Sequence, residues 1–144
     1  MIGIVDILSA LSDDKAFILY NSIALGEGNN FKALIEKMGI TPHQYYSRLL
    51  RISKAGLVKR ENGRYVTTAL GRVVYDAVST VGKALEHYWA IKAIESFQSI
   101  ANSDSTEHLS KLIDILIEDN KIKKLLTELP IASIFISSQK SSTL

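Results

Sequence analysis

Gly39-Ile40-Thr41-Pro42 stops one helix and starts another with almost no chain between them. Glycine tolerates the left-handed conformation that ends a helix. The Thr41 hydroxyl can cap the free amides of the next helix, and proline suits its first position. The upstream helix is expected from an Asn30 cap through Phe31, Leu34, Ile35 and Met38, and the downstream one carries His43 through Lys54 until Gly56 stops it. Two short helices are thus separated by a tight turn.

Leu57 to Arg60 and Arg64 to Thr67 are expected strands on either side of Asn62-Gly63, a dipeptide suited to the two positive-φ positions of a type I′ turn. A two-stranded ribbon is marginal alone in water, so it must pack on helices, which Leu57, Val58, Tyr65 and Val66 allow. Upstream, Ile4 to Leu11 repeats apolar residues at helical spacing. Ser12 is the expected N-cap of the following helix, with Asp13 and Asp14 in its first turn and Gly26 and Gly28 at its end. Downstream, one helix is expected through Leu70, Val73, Val74 and Ala77, and a longer one from about Thr80 to Ile100. Asn102 to Ser105 reads as a loop, and a last helix opens at Thr106, is interrupted near Asn120 and ends at Pro130.

The chain has 144 residues, 47% apolar and 22% charged, the balance of a folded protein. It has no cysteine, which removes disulfides, thiolate zinc sites and thiol nucleophiles together. No apolar run approaches the ~20 residues of a membrane helix. The start, Met1-Ile2-Gly3-Ile4-Val5-Asp6, lacks the basic opening of a secretory signal, so a cytoplasmic protein without membrane partners is expected. No phosphate loop or Ser/His/Asp grouping stands out, and His43, His87 and His108 are scattered; neither an enzyme nor a cofactor is expected. Net charge is +2, unevenly spread: from Thr41 to Arg72 seven bases face the single acid Glu61, a segment of +6 in a chain otherwise at −4. A compact basic segment suggests a local anionic partner.

Taken together, Ala10-Leu11-Ser12-Asp13, Gly39-Ile40-Thr41, Ala55-Gly56-Leu57-Val58 and Asn62-Gly63-Arg64-Tyr65 resemble winged helix-turn-helix regulators of the ArsR type over Ala10 to Gly71. Thr68-Ala69-Leu70-Gly71 is also similar to the segment leaving the wing in MarR-like families. The resemblance implies a mainly α fold with a small two-stranded β-hairpin wing, divided into a DNA-binding domain at 1–78, C-terminal dimerisation helices at 79–130 and a tail at 131–144. It implies double-stranded DNA as partner and transcription regulation as function; a homodimer is expected from the apolar surface of the C-terminal helices. Metal sensors of that type carry cysteines where this chain has Phe31-Lys32-Ala33. Glu86-His87 and Glu107-His108 are adjacent pairs whose members point to different helix sides, so no metal is expected.

At 100° per residue, Tyr45, Leu49 and Ile52 share one side of the helix after the turn, and His43, Ser47, Leu50, Arg51 and Lys54 the other. The resemblance makes His43, Gln44, Ser47 and Arg51 base-edge candidates in a major groove, with Tyr46, Arg48 and Lys54 towards phosphates. Lys59, Arg60 and Arg64 are expected to reach backbone or minor groove from the wing, with Glu61 across the turn from Arg64 as a competing partner, and Lys32 is a weaker phosphate candidate. Val81, Leu85, Tyr88, Trp89, Ile91 and Ile94 make an apolar stripe wide enough to pack on a twin. Tyr88, Trp89 and Phe97 either line a small-molecule effector pocket or are ordinary packing. A winged helix serving as a protein-interaction module is the alternative reading.

Overall fold

The computed structural model describes residues 1–27, 30–100 and 106–128. Among them the chain is mainly α, with eight helices and one antiparallel hairpin: α1 (Ile4–Ala10), α2 (Asp14–Ala24), α3 (Phe31–Met38), α4 (Pro42–Lys54), β1 (Val58–Glu61), β2 (Arg64–Thr67), α5 (Ala69–Glu86), α6 (Tyr88–Ile100), α7 (Thr106–Leu116) and α8 (Asn120–Glu128). The expected helix end at Gly28, the loop at Asn102 to Ser105, the stop at Pro130 and the tail at 131–144 lie outside the described residues. No helix among those described is long and apolar enough to cross a membrane. The chain divides into two compact units, Met1–Val78 and the part from Ser79 onward.

In the first unit, Leu19, Tyr20, Ile52 and Leu57 are fully buried, with Leu34, Met38, Tyr45 and Leu49 around them. The N-cap of α2 is Asp13, not Ser12. The Ser12 hydroxyl donates to the Ser9 carbonyl at 2.7 Å and closes the end of α1, leaving the Asp13 carboxylate to accept from the Ala16 amide at 2.9 Å. Between α3 and α4, Gly39 takes the left-handed conformation with φ +61° and Thr41 caps α4. Its hydroxyl accepts from the Gln44 amide at 3.2 Å while the Gln44 side-chain oxygen accepts from the Thr41 amide at 3.0 Å. This reciprocal pair satisfies two donors that a helix start leaves open.

The hairpin turns at Asn62 and Gly63, whose φ values of +50° and +78° match the type I′ expectation. Its register pairs Val58 with Thr67, Arg60 with Tyr65 and Glu61 with Arg64. The ribbon is anchored at its root. Thr68 donates its amide to the Leu57 carbonyl at 3.0 Å, and its hydroxyl donates to the Gly56 carbonyl at 2.5 Å and accepts from the Gly71 amide at 2.9 Å. Gly71 lies directly against the Leu57 backbone, where a Cβ has no room, and the Tyr20 hydroxyl donates to the Gly71 carbonyl. Burial pushes the Tyr20 phenol up to about 12.

Downstream of the hairpin, the break expected before Thr80 is absent. α5 runs through Ser79 and Thr80 without interruption, and the chain breaks at His87 instead. The His87 amide reaches both the Lys83 and Ala84 carbonyls, at 3.3 and 3.1 Å, the shared bond typical of a helix end. The second unit closes on Ile94, Ile113, Ile117 and Ile122. Asp119 caps α8 by accepting from the Ile122 amide at 3.0 Å, beside the expected interruption at Asn120.

Candidate nucleic-acid interface

α4 turns Tyr45, Leu49 and Ile52 into the core and leaves His43, Gln44, Tyr46, Ser47, Leu50, Arg51 and Lys54 exposed. The split follows the helical period, because the buried residues recur at spacings of four and three. Leu50 is 56% exposed and Tyr46 51%, so two large side chains stand on the polar face.

The arginines of α4 are organised by Asp13. Its Oδ1 accepts from Arg48 Nε at 3.0 Å and its Oδ2 from Arg51 Nη2 at 2.6 Å. Arg48 also donates from Nη1 to the Gln44 carbonyl at 3.2 Å and its side chain is only 21% exposed. It is therefore a strut between α2 and α4. Arg51, 47% exposed, uses one nitrogen on Asp13 and keeps the rest of its guanidinium open to solvent. Gln44 has its side-chain oxygen in the α4 cap, which leaves its amide nitrogen as the free donor.

Burial pushes the Asp13 carboxyl up, but the Ala16 amide and the guanidiniums of Arg48 and Arg51 outweigh it and hold the group at about 2, below the ordinary 3.8. A carboxylate depressed in the folded chain stabilises above its unfolded value and loses that contribution as pH falls through its folded value. Asp13→Asn keeps a good cap but removes the charge. The variant is expected to be about 1 kcal/mol less stable than the parent at neutral pH, a figure set by solvent-screened pairs. In urea titrations that difference should shrink as pH falls from 3.8 to about 2. A difference that stays constant across this window would remove the charge as its cause.

On the hairpin, alternation puts Lys59, Glu61 and Arg64 on one face and Arg60 with half-buried Tyr65 on the other. The competition expected between Glu61 and Arg64 resolves differently: Glu61 pairs with Lys59 at 3.2 Å. Among the described residues Lys54, Arg60 and Arg64 take part in no ion pair. Two open concavities of about 470 and 490 Å³ lie between α4 and the hairpin, and Tyr46, Arg60 and Tyr65 line both. The first also takes in Phe31, Asn62 and Arg64. Phe31, outside every sequence-based assignment of function except as part of a family comparison, packs its ring 6.0 Å from that of Tyr46 and 5.9 Å from that of Tyr45. Lys32 is exposed beside it on α3.

In the second unit, Val81, Leu85, Tyr88 and Trp89 are exposed, Trp89 to 80%. Ile91 is half-buried and Ile94 lies inside the core, engaged with the unit's own helices. Tyr88 and Trp89 meet edge to face at 5.1 Å on the surface, and Phe97 is half-buried. No group of three or more His, Asp or Glu among the described residues is placed to hold a metal ion.

The first unit thus offers an exposed helix face and a hairpin beside it, with cations on both and the Tyr46 ring in the groove between them. Such a surface binds anions by charge and flat or apolar groups by contact. Compared with models of protein families, with curated proteins and with solved structures, the chain matches none.

Proposed function

We propose that the chain is a winged helix-turn-helix protein that binds double-stranded DNA as a homodimer and regulates transcription, with α4 in the major groove and the hairpin as a wing on the backbone or minor groove. The observation that carries this reading is the exposure of three cations that have no acid partner among the described residues, Lys54 on the polar face of α4 and Arg60 and Arg64 on the hairpin. An α-helix fits the major groove, and free Lys and Arg beside it neutralise phosphates. His43, Ser47 and Arg51 are on the exposed face of the helix, where base edges are read; Arg48 is a support for that helix.

Pairing through exposed Val81, Leu85, Tyr88 and Trp89 covers apolar surface and presents two α4 helices to successive half-sites. The test is fluorescence anisotropy on a random-sequence duplex at low salt, comparing the parent chain with Arg60→Ala/Arg64→Ala. Losing two phosphate contacts is expected to weaken binding about tenfold or more. Equal affinity for parent and variant would overturn the reading and favour a protein partner for the same face.

A further inference from the structure

The Tyr46 hydroxyl suits a duplex phosphate, but the face of its ring has no partner on a paired helix. A paired, stacked helix offers base edges in its grooves and phosphates along its strands, while the faces of its bases are covered by their neighbours. Lys54, Arg60, Arg64 and the Tyr46 hydroxyl suit those phosphates; the face of an aromatic ring adds little to them. Tyr46 is not needed to fill the core either, because Tyr45 beside it already does so at 2% exposed.

The ring is nevertheless held in place. It packs 6.0 Å from the Phe31 ring at 42° and 5.2 Å from the Tyr45 ring at 86°, with half its surface left open. A fixed, half-open aromatic side chain is a platform for a flat ligand, since little side-chain freedom remains to be lost on binding. Around it lie Arg60 and Arg64, neither paired with an acid among the described residues, and Asn62 at the hairpin turn, whose amide both donates and accepts. The concavity of about 470 Å³ that they line falls in the size range of small-ligand sites. A π-face, two cations and an amide in one groove match the parts of a nucleotide: base, phosphate and base edge.

We propose that the groove between α4 and the hairpin takes an unpaired nucleotide of a DNA strand, its base stacked on Tyr46 and its phosphate held by Arg60 and Arg64. The chain then prefers duplex ends or gaps that carry unpaired bases over fully paired DNA. The subsite shares Arg60 and Arg64 with the duplex reading and differs from it in the base stacked on Tyr46, so the comparison of blunt, overhang and single-stranded DNA tells their failures apart.

The experiment compares a blunt duplex, the same duplex with a short single-stranded overhang, and the overhang strand alone, by anisotropy with the full chain. The overhang is expected to raise affinity about tenfold over the blunt duplex, the scale of one base stacked on an aromatic ring. Tyr46→Phe keeps the π-face without the hydroxyl and should keep the roughly tenfold ratio of overhang to blunt affinity, Tyr46→Leu, which has no π-face, should bring that ratio to about one, and Tyr46→Trp should restore it. Unchanged circular dichroism of the three variants separates loss of stacking from loss of fold. Equal affinity for blunt and overhang duplexes in the parent chain overturns the subsite and leaves the duplex reading standing. Binding of overhang and single strand without the blunt duplex supports the subsite and removes the duplex reading. Competition by free mononucleotide at the concentrations at which the strand competes overturns the assignment to a strand.

Discussion

Gly71→Ala is expected to destabilise the first unit by about 3 kcal/mol or more, at the upper end of overpacking penalties. The added Cβ falls on the Leu57 carbonyl and its neighbouring backbone atoms, which cannot turn aside as a flexible side chain does. That carbonyl already accepts the Thr68 amide at 3.0 Å, and the Gly71 carbonyl accepts the Tyr20 hydroxyl, so moving either segment breaks a bond at the hairpin root. Gly82→Ala, in the same α5, provides the contrast. Nothing lies within 4 Å of its added Cβ, so the substitution should stabilise by about 0.5–1 kcal/mol through helix propensity alone. Urea denaturation of the full-length variants checks both. A Gly71→Ala midpoint equal to the parent's would show that α5 can slide away from Leu57 without cost.

A comparable loss is expected in the second unit from Ile94→Ala. Ile94 is 1% exposed among Ile113, Ile117 and Ile122, and removing three methyl or methylene groups from such a site costs about 2–5 kcal/mol, depending on how far the neighbours collapse. Trp89→Ala removes a larger side chain at far smaller cost to the fold, about 0.5 kcal/mol or less, because the ring is 80% exposed. Its effect should fall on self-association instead. If the chain pairs as proposed, sedimentation equilibrium is expected to show Trp89→Ala dissociating at least about tenfold more readily than the parent, a buried Trp being a frequent interface anchor. An unaltered association constant would remove Trp89 from the contact. Trp89 is the chain's single tryptophan, so its emission also reports directly on whether this surface becomes covered as concentration rises.

The features most legible in the sequence are those set by short-range geometry. Asn62-Gly63 prescribes the hairpin turn because few other dipeptides accept positive φ twice, and the 3.6-residue period separates Tyr45, Leu49 and Ile52 from the exposed side of α4. What escapes is set by tertiary approach or by competition between neighbours. Asp13 meets Arg48 and Arg51 across 35 and 38 residues of chain, and no spacing rule links residues that far apart. Ser12 and Asp13 are both good caps, and the outcome turns on Ser12 being occupied at the end of α1. Gln44 did carry a local signal: it stands three residues after Thr41, the spacing of a capping box, yet its position on the helix also suits base contact. The break at His87 has no glycine or proline beside it, whereas Gly82 sits inside α5 without ending it. Glu61 has Arg64 opposite and Lys59 two residues back on the same face; its ion pair is with Lys59.

The central claim is that Lys54, Arg60 and Arg64 of the first unit meet DNA phosphates, and the salt dependence of duplex binding tests it most directly. Each neutralised phosphate contributes about −0.9 to the slope of log affinity against log salt concentration. Three such cations predict a slope of about −3 for one protomer and about −5 for a bound pair. A slope in that range, reduced by about 2 in Arg60→Ala/Arg64→Ala for one protomer, is the result the account predicts. A slope near zero, or no binding at low salt, would contradict it.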